Sequence, residues 1–271
     1  MEFGICLNVI DILRKDPVKL DEQLSAIAAA GFSYVEAVVA AFIDADENEI
    51  KAIKAALIKN GLSLTRANVL FPGGIKVVGP EKDDDKIRDY LTSVFPKLKA
   101  LGVEIVVFGS GGARNRPDDL PYDEAFIQVC DSAKLITNTA AGYGIKVAIE
   151  HLNPKECNLL VTIEETIKAV RAINHPNCGF TFDIYHVDES TADIYNVVNA
   201  KDVLFHSHTA LPGARMFPSP EDADALRNYF AILKDAEYDG TVSIEATLHD
   251  EKSFEKNMTD AFEALTMLCV T

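Results

Sequence analysis

Three acidic residues each close a short apolar segment: Glu150 ends KVAIE, Asp183 ends GFTFD and Glu245 ends TVSIE. A fourth such segment, VLFHSH, ends in His208. Side chains along a strand alternate between its two faces, so in these segments Ala148 and Glu150 oppose Val147 and Ile149. Likewise Thr181 and Asp183 oppose Phe180 and Phe182, and Ser243 and Glu245 oppose Val242 and Ile244. The bulky apolar side chains mark the face that meets covering helices. The carboxylates therefore share the other face, each at the C-terminal end of its strand.

Three carboxylates held at one level repel one another unless a cation sits among them. The alternative is that each is half of a structural ion pair, but no Arg or Lys lies at the C-terminal ends of these segments to serve as partner. A divalent ion is the simpler solution, and His208 then supplies a nitrogen ligand beside the three oxygen ligands. Such a set, completed by water or substrate oxygens, suits Mn²⁺, Mg²⁺ or Co²⁺, with Zn²⁺ as a further candidate. His206 lies on the same face one layer deeper and is expected to be a core histidine or a support for the ligands.

These residues need a frame that gathers strand ends. Apolar runs fall at Phe3–Asn8, Tyr34–Val39, Leu64–Leu70, Ile105–Gly109, Lys146–Glu150, Gly179–Asp183, Val203–His208 and Thr241–Glu245. Helical periodicity fills the intervals, over Pro17–Ala30, Asn48–Asn60, Asp84–Leu101, Asp123–Tyr143, Ile163–Ile173, Ala192–Asn199, Ala223–Ala236 and Phe254–Leu268. Gly31, Gly61, Gly102 and Gly144 each stand between a helix and the next strand, where a left-handed C-cap is wanted. Eight strand–helix units of about 30 residues make a (β/α)8 TIM barrel, with a doubly wound sheet as runner-up. No linker divides the 271 residues, so residues 1–271 form a single domain in this reading.

The composition narrows the partners. With 26 basic against 42 acidic residues the formal charge is −16, which repels phosphate backbones and anionic membranes and argues against nucleic acid or membrane as a partner. The N-terminal segment lacks the pattern of a secretory signal, and no stretch is long and apolar enough to span a bilayer, so a cytoplasmic location is expected. The five cysteines are scattered without CxxC spacing, and reduced thiols are expected.

At IEHLNPKECN (149–158), FDIYH (182–186), HSH (206–208) and YDGTVSIE (238–245) the chain resembles the sugar isomerase and epimerase superfamily with the xylose isomerase-like TIM barrel. Within it the likeness is to the ketose 3-epimerase, hydroxypyruvate isomerase and inosose dehydratase branch. The resemblance implies that Glu150, Asp183, His208 and Glu245 are metal ligands and that Glu150 and Glu245 are the catalytic pair moving protons on opposite faces of a substrate. It implies that Glu156, His186 and Arg215 bind that substrate. The segment ALPGARMFPSP after His208 departs from the family's usual loop and leaves the substrate open.

The function this implies is a divalent-metal-dependent isomerase or epimerase acting on a small sugar or polyol-derived ketone through enediolate chemistry. A metal-dependent lyase or dehydratase on the same scaffold is the alternative, since elimination of water starts from the same enediolate. An abasic-site endonuclease is disfavoured because LTRANVL and IVVFG carry no histidine for further metal ions, and a catalytically silent binding barrel because the ligand set is intact. A homo-oligomer is expected, as for most soluble barrels of this kind. Asn68 and Glu36, near strand ends, are candidate substrate contacts. GSGGAR lacks the spacing and the Lys of a phosphate loop, which speaks against nucleotide binding.

Overall fold

The computed structural model describes residues 1–187 and 194–270. Eight parallel strands close into a barrel in sequential order, each hydrogen-bonded to the next and the last to the first. They are β1 (Glu2–Cys6), β2 (Tyr34–Val38), β3 (Ser63–Asn68), β4 (Ile105–Phe108), β5 (Lys146–Glu150), β6 (Cys178–Asp183), β7 (Leu204–Thr209) and β8 (Thr241–Ile244). The expected barrel is thus the fold observed, and the doubly wound alternative, which leaves two open edges, is not.

Around it lie α1 (Val9–Lys15), α2 (Pro17–Ala30), α3 (Glu47–Lys59), α4 (Asp84–Leu101), α5 (Gly111–Arg114), α6 (Tyr122–Ala141), α7 (Ile163–Ile173), α8 (Asn196–Asn199), α9 (Ala223–Asp235) and α10 (Phe254–Val270). Local chemistry sets their ends. Asp16 caps α2 by accepting from the amides of Val18 and Lys19, and Pro17 stands at the first helical position, where its missing N–H costs nothing. Gly31 closes α2 at φ 113° and Gly102 closes α4 at φ 101°, a backbone region that side chains disfavour. In both places the chain turns directly into the next strand.

The short α1 departs from the sequence reading, which carried the first strand on to Asn8. Asn8 instead caps α1, its side chain accepting from the Asp11 amide. A helix of seven residues spans too few turns to show a period of its own. The helix expected over Ala192–Asn199 starts among residues 188–193, outside the described ones; from Asn196 to Asn199 there is a single turn.

The apolar core is the sleeve between strands and helices, filled by residues such as Val35, Val106, Val147, Ile149, Phe180, Phe182, Val242 and Ile244. The barrel interior is polar instead. Glu36, Thr181, Asp183, His206, His208 and Ser243 are all buried within it. At its floor Tyr34 donates or accepts a hydrogen bond with Ser243 (2.9 Å), its ring lying where a side chain on Gly4 would have to go. Among the described residues no helix is long and apolar enough to cross a membrane.

Candidate active site

The register of the last four strands gathers the predicted ligands. Glu150 pairs with Thr181, Asp183 with His208, and His208 with Ser243, while Glu245 follows two residues beyond Ser243 and continues the ladder by donating its amide to Thr209 (3.1 Å). Strands tilt against the axis of a barrel, so this stagger brings different register positions to one height. Ligand atoms of Glu150, Asp183, His208 and Glu245 consequently lie within 4.8 Å of one another, a group that could hold a metal ion.

The contacts inside this group are close. His208 Nδ1 is 2.8 Å from Glu150 Oε1 and 3.8 Å from both Asp183 Oδ2 and Glu245 Oε2. Burial pushes the Glu150 carboxyl up to about 7 against the opposing pull of the His208 charge, and the charges of Asp183 and Glu245 add to the rise. Burial also opposes ionisation of Asp183, yet His186 and His208 hold its carboxyl well below the usual range. His208 in turn is raised above an ordinary imidazole despite its burial, because Glu36 and Glu150 face it. A proton shared in a ring of carboxylates relieves the same repulsion that a divalent ion would, so oxygen-rich donors plus one imidazole fit such an ion.

The other predicted residues border the same space. Glu156 lies on the loop after β5, where its Oε1 accepts from Asn153 Nδ2 (3.1 Å) and Arg215 Nη1 (3.3 Å). Arg215, on the loop after β7, also donates from Nη2 to Glu245 Oε2 (2.8 Å) and stacks its guanidinium over the Tyr185 ring at 4.8 Å. Its backbone is left-handed at φ 53°, a strained state fixed by hydrogen bonds from Arg215 N to Leu211 O and from Thr247 N to Arg215 O. His186 is buried, with Nε2 3.6 Å from Asp183 Oδ2 and Nδ1 2.9 Å from Asn153 Nδ2. A cavity of about 330 Å³ runs over Glu150, Glu156, His186, Arg215 and Glu245, walled on one side by Val69 and Gly109–Gly112.

One expectation changes. Glu36 is no substrate contact: it has no exposed surface and both of its oxygens are taken, Oε2 by His206 Nε2 (2.9 Å) and Oε1 by His208 Nε2 (3.0 Å). Arg215, expected to bind substrate, is also in direct contact with a predicted ligand, Glu245. Asn68 does reach the site, donating from Nδ2 to Glu245 Oε1 (2.9 Å), and its Oδ1 is buried with no partner. A second group of potential ligands, Cys6, Glu36 and His208, is less suited to an ion, because burial and the neighbouring Glu36 charge keep the Cys6 thiol protonated.

Several participants carry no sequence signal. Arg114 is fully buried and donates to the carbonyls of Phe108 (3.1 Å) and Glu150 (2.5 Å), tying the ends of β4 and β5 together. Asn153 couples Glu156 to His186, and only its place inside IEHLNPKECN could have drawn attention to it. Gly109 is required by close approach: a Cβ there would fall 1.8 Å from Glu150 Oε2.

Residues 24–268 match the family model described as "Xylose isomerase-like TIM barrel". A probable ketose 3-epimerase of Synechocystis sp. is 25% identical over 234 residues, covering 82% of this chain and 76% of that protein. The crystal structure of a D-allulose 3-epimerase from Methylomonas sp. superposes with a TM-score of 0.82 at 20% identity, covering 99% of this chain and 98% of the other. The IolI protein, solved with a bound zinc atom, gives a TM-score of 0.70 at 18% identity, with coverage of 99% and 98%.

Proposed function

The chain belongs to the xylose isomerase-like TIM barrel family, and from that premise we propose that it is a divalent-metal-dependent isomerase or epimerase of a small sugar or sugar-derived ketone. The observation that carries this reading is the convergence of Glu150, Asp183, His208 and Glu245 within 4.8 Å of one another, with Glu150 and Glu245 lining an accessible cavity. The ketose 3-epimerase relative points to the same chemistry.

In this reading those four residues hold the ion. A bound divalent cation would draw electron density from a substrate's carbonyl and adjacent hydroxyl oxygens and so make the hydrogen between them acidic. The rest falls to the protein. Glu150 ends β5 and Glu245 follows directly on β8, and in this reading they serve as the bases that remove and return a proton from opposite faces of the substrate. Glu245 is held for this by donors on both oxygens, Asn68 on one and Arg215 on the other. Arg215, Glu156 and His186 line the cavity with charge-bearing groups that bind the substrate's hydroxyls.

An abasic-site endonuclease needs more metal-binding side chains than this barrel offers. Among the described residues both groups of potential ligands pass through His208, and β3 and β4 contribute no histidine or cysteine.

The test uses the intact protein with Mn²⁺ and a panel of ketoses, inososes and keto acids in D₂O, followed by NMR. Deuterium entering the carbon beside a carbonyl, with an epimer or isomer appearing, is the expected result. Metal analysis after dialysis should find about one ion per chain, lost in Asp183→Asn and His208→Ala. Variants that bind the ion as the parent does would remove the assignment.

A further inference from the structure

The polar interior of the barrel forms a single hydrogen-bonded line from floor to mouth. It starts at Arg66, anchored by Glu104 at the rim of the floor (2.9 Å), whose Nε donates to Thr241 Oγ1 (2.9 Å). Thr241 Oγ1 lies 2.8 Å from His206 Nδ1, His206 Nε2 lies 2.9 Å from Glu36 Oε2, and Glu36 Oε1 lies 3.0 Å from His208 Nε2. The line ends with His208 Nδ1 facing Glu150. Thr241, His206, Glu36 and His208 are all buried, so water does not compete for these bonds.

The directions follow from the carboxylate in the middle of the line. A carboxylate only accepts, so His206 and His208 each donate to Glu36 from Nε2. A neutral His206 then offers a lone pair at Nδ1 to the Thr241 hydroxyl, whose oxygen in turn accepts from Arg66. Because Glu36 takes Nε2–H, Nδ1 is the nitrogen that would turn a lone pair to an ion bound in place of the proton between it and Glu150, and it is the nitrogen directed at Glu150, Asp183 and Glu245.

We propose that Glu36 is a positioning residue which, oriented by His206, Thr241 and Arg66, fixes His208 in the one tautomer that presents Nδ1 to a metal ion. Carboxylate partners of ligating histidines act in this way, fixing the ring and its tautomer, and their loss weakens metal binding by about 10–100-fold. This line adds a feature that pairing along the sheet does not supply. β2, which carries Glu36, is not a neighbour of β7, which carries His208, and the contact runs across the barrel interior.

The inference rests on the metal-centre reading above, and the experiment separates the two. In Glu36→Gln the amide keeps the volume but accepts from only one imidazole and confronts the other with an N–H. Thr241→Val cuts the line one step earlier without touching Glu36 or His208. Zn²⁺ and Mn²⁺ affinities are measured by chelator competition. Histidine nitrogen resonances are recorded on the Zn²⁺-loaded protein labelled with ¹⁵N, and thermal unfolding is followed alongside.

The expected result is about a 10–100-fold loss of affinity for both ions in Glu36→Gln and a smaller loss in Thr241→Val. In the parent, His208 should show its hydrogen on Nε2 and the metal on Nδ1, a pattern disturbed in Glu36→Gln. A purely structural role would lower the unfolding temperature and leave affinity and resonances in place. Parental affinity and an unchanged His208 pattern in both variants would overturn the inference alone, and should Glu36→Gln not fold, Thr241→Val decides it by the same readings. A parent that binds neither ion would overturn the metal-centre reading and this inference together.

Discussion

The two halves of the barrel meet the site differently. Strands β5 to β8 each carry one of the four converging donors, Glu150, Asp183, His208 and Glu245, at or next to the C-terminal end. Strands β1 to β4 contribute none of them and supply what holds the donors. Asn68 donates to Glu245, Glu36 receives His208, Gly109 makes room for Glu150, and Arg114, just beyond β4, grips the Glu150 carbonyl. One half carries the candidate ligands, and the other supplies much of what holds them in place. Losses in the first half should appear as lost metal or lost proton transfer. Losses in the second should appear as misplacement of groups that are still present.

The sharpest contrast comes from the two carboxylates proposed as bases. Glu150→Gln and Glu245→Gln each keep an oxygen donor and remove the base, so with metal occupancy verified, turnover should fall by about 10² or more in each. One variant should still exchange a substrate hydrogen with solvent while failing to complete epimerisation, since one face keeps its base. Product and deuterium analysis by NMR reads both quantities. Near-parental turnover in both metal-loaded variants would mean that neither glutamate moves protons.

A position in the supporting half tests whether placement alone matters that much. Gly109→Ala puts a Cβ at 1.8 Å from Glu150 Oε2, and the end of that side chain must move aside. Gly109 is not among the glycines with positive φ, so the backbone accepts alanine without strain. Crowding of about 1–3 kcal/mol is then partly offset by about 0.4–1 kcal/mol from the stiffer unfolded chain. Displacing a catalytic group by about 1 Å can cost about 10²-fold. Turnover should therefore drop by that order while urea unfolding shows at most a modest loss. A variant with full activity would show that the Glu150 carboxylate tolerates displacement.

The same division decides what could be read in the sequence. Alternation within single strands revealed Glu150, Asp183, Glu245 and His208, because each is an oddity at the end of an apolar run. It revealed the barrel too, since the strand–helix period repeats over the whole chain. Contacts across the interior have no such period. Glu36 looks like any polar strand residue, and hence like a substrate contact, until the barrel closes and sets it against His206 and His208. Arg114 stands in a glycine-rich stretch that says nothing of its burial. Arg215 reaches Glu245 only because its loop is locked in a left-handed turn against Thr247. Such residues are specified by tertiary closure, which one-dimensional patterns do not encode.

The smallest expected effect lies outside the barrel and gives the comparison its baseline. Glu49 on α3 accepts from Arg14 of α1 through both oxygens, at 2.6 and 3.0 Å, and from the Asp46 amide at 2.9 Å, completing the cap of α3. The Arg14 hydrogen bond, followed by the Asp46 amide, draws the Glu49 carboxyl down to about 2 from the ordinary 4.5. A carboxyl lowered in the folded state stabilises the fold above its unfolded value and loses that contribution as pH falls through the folded value. The window thus runs from about 4.5 down to about 2. Both side chains keep contact with solvent, 23% of Glu49 and 36% of Arg14 being exposed, so screening confines the contribution to about 1 kcal/mol or less. Glu49→Gln should be less stable than the parent by that amount at pH 7, and the gap should narrow steadily between pH 4.5 and 3, as read by urea unfolding at each pH. Turnover should stay at the parental level, because neither Arg14 nor Glu49 touches the cavity over Glu150. A pH-independent gap would show that the cap, which glutamine can partly mimic, outweighs the charge. A loss of turnover would show that α1 and α3 take part in holding the mouth of the barrel, and would extend the supporting half of the molecule from its strands to its outer helices.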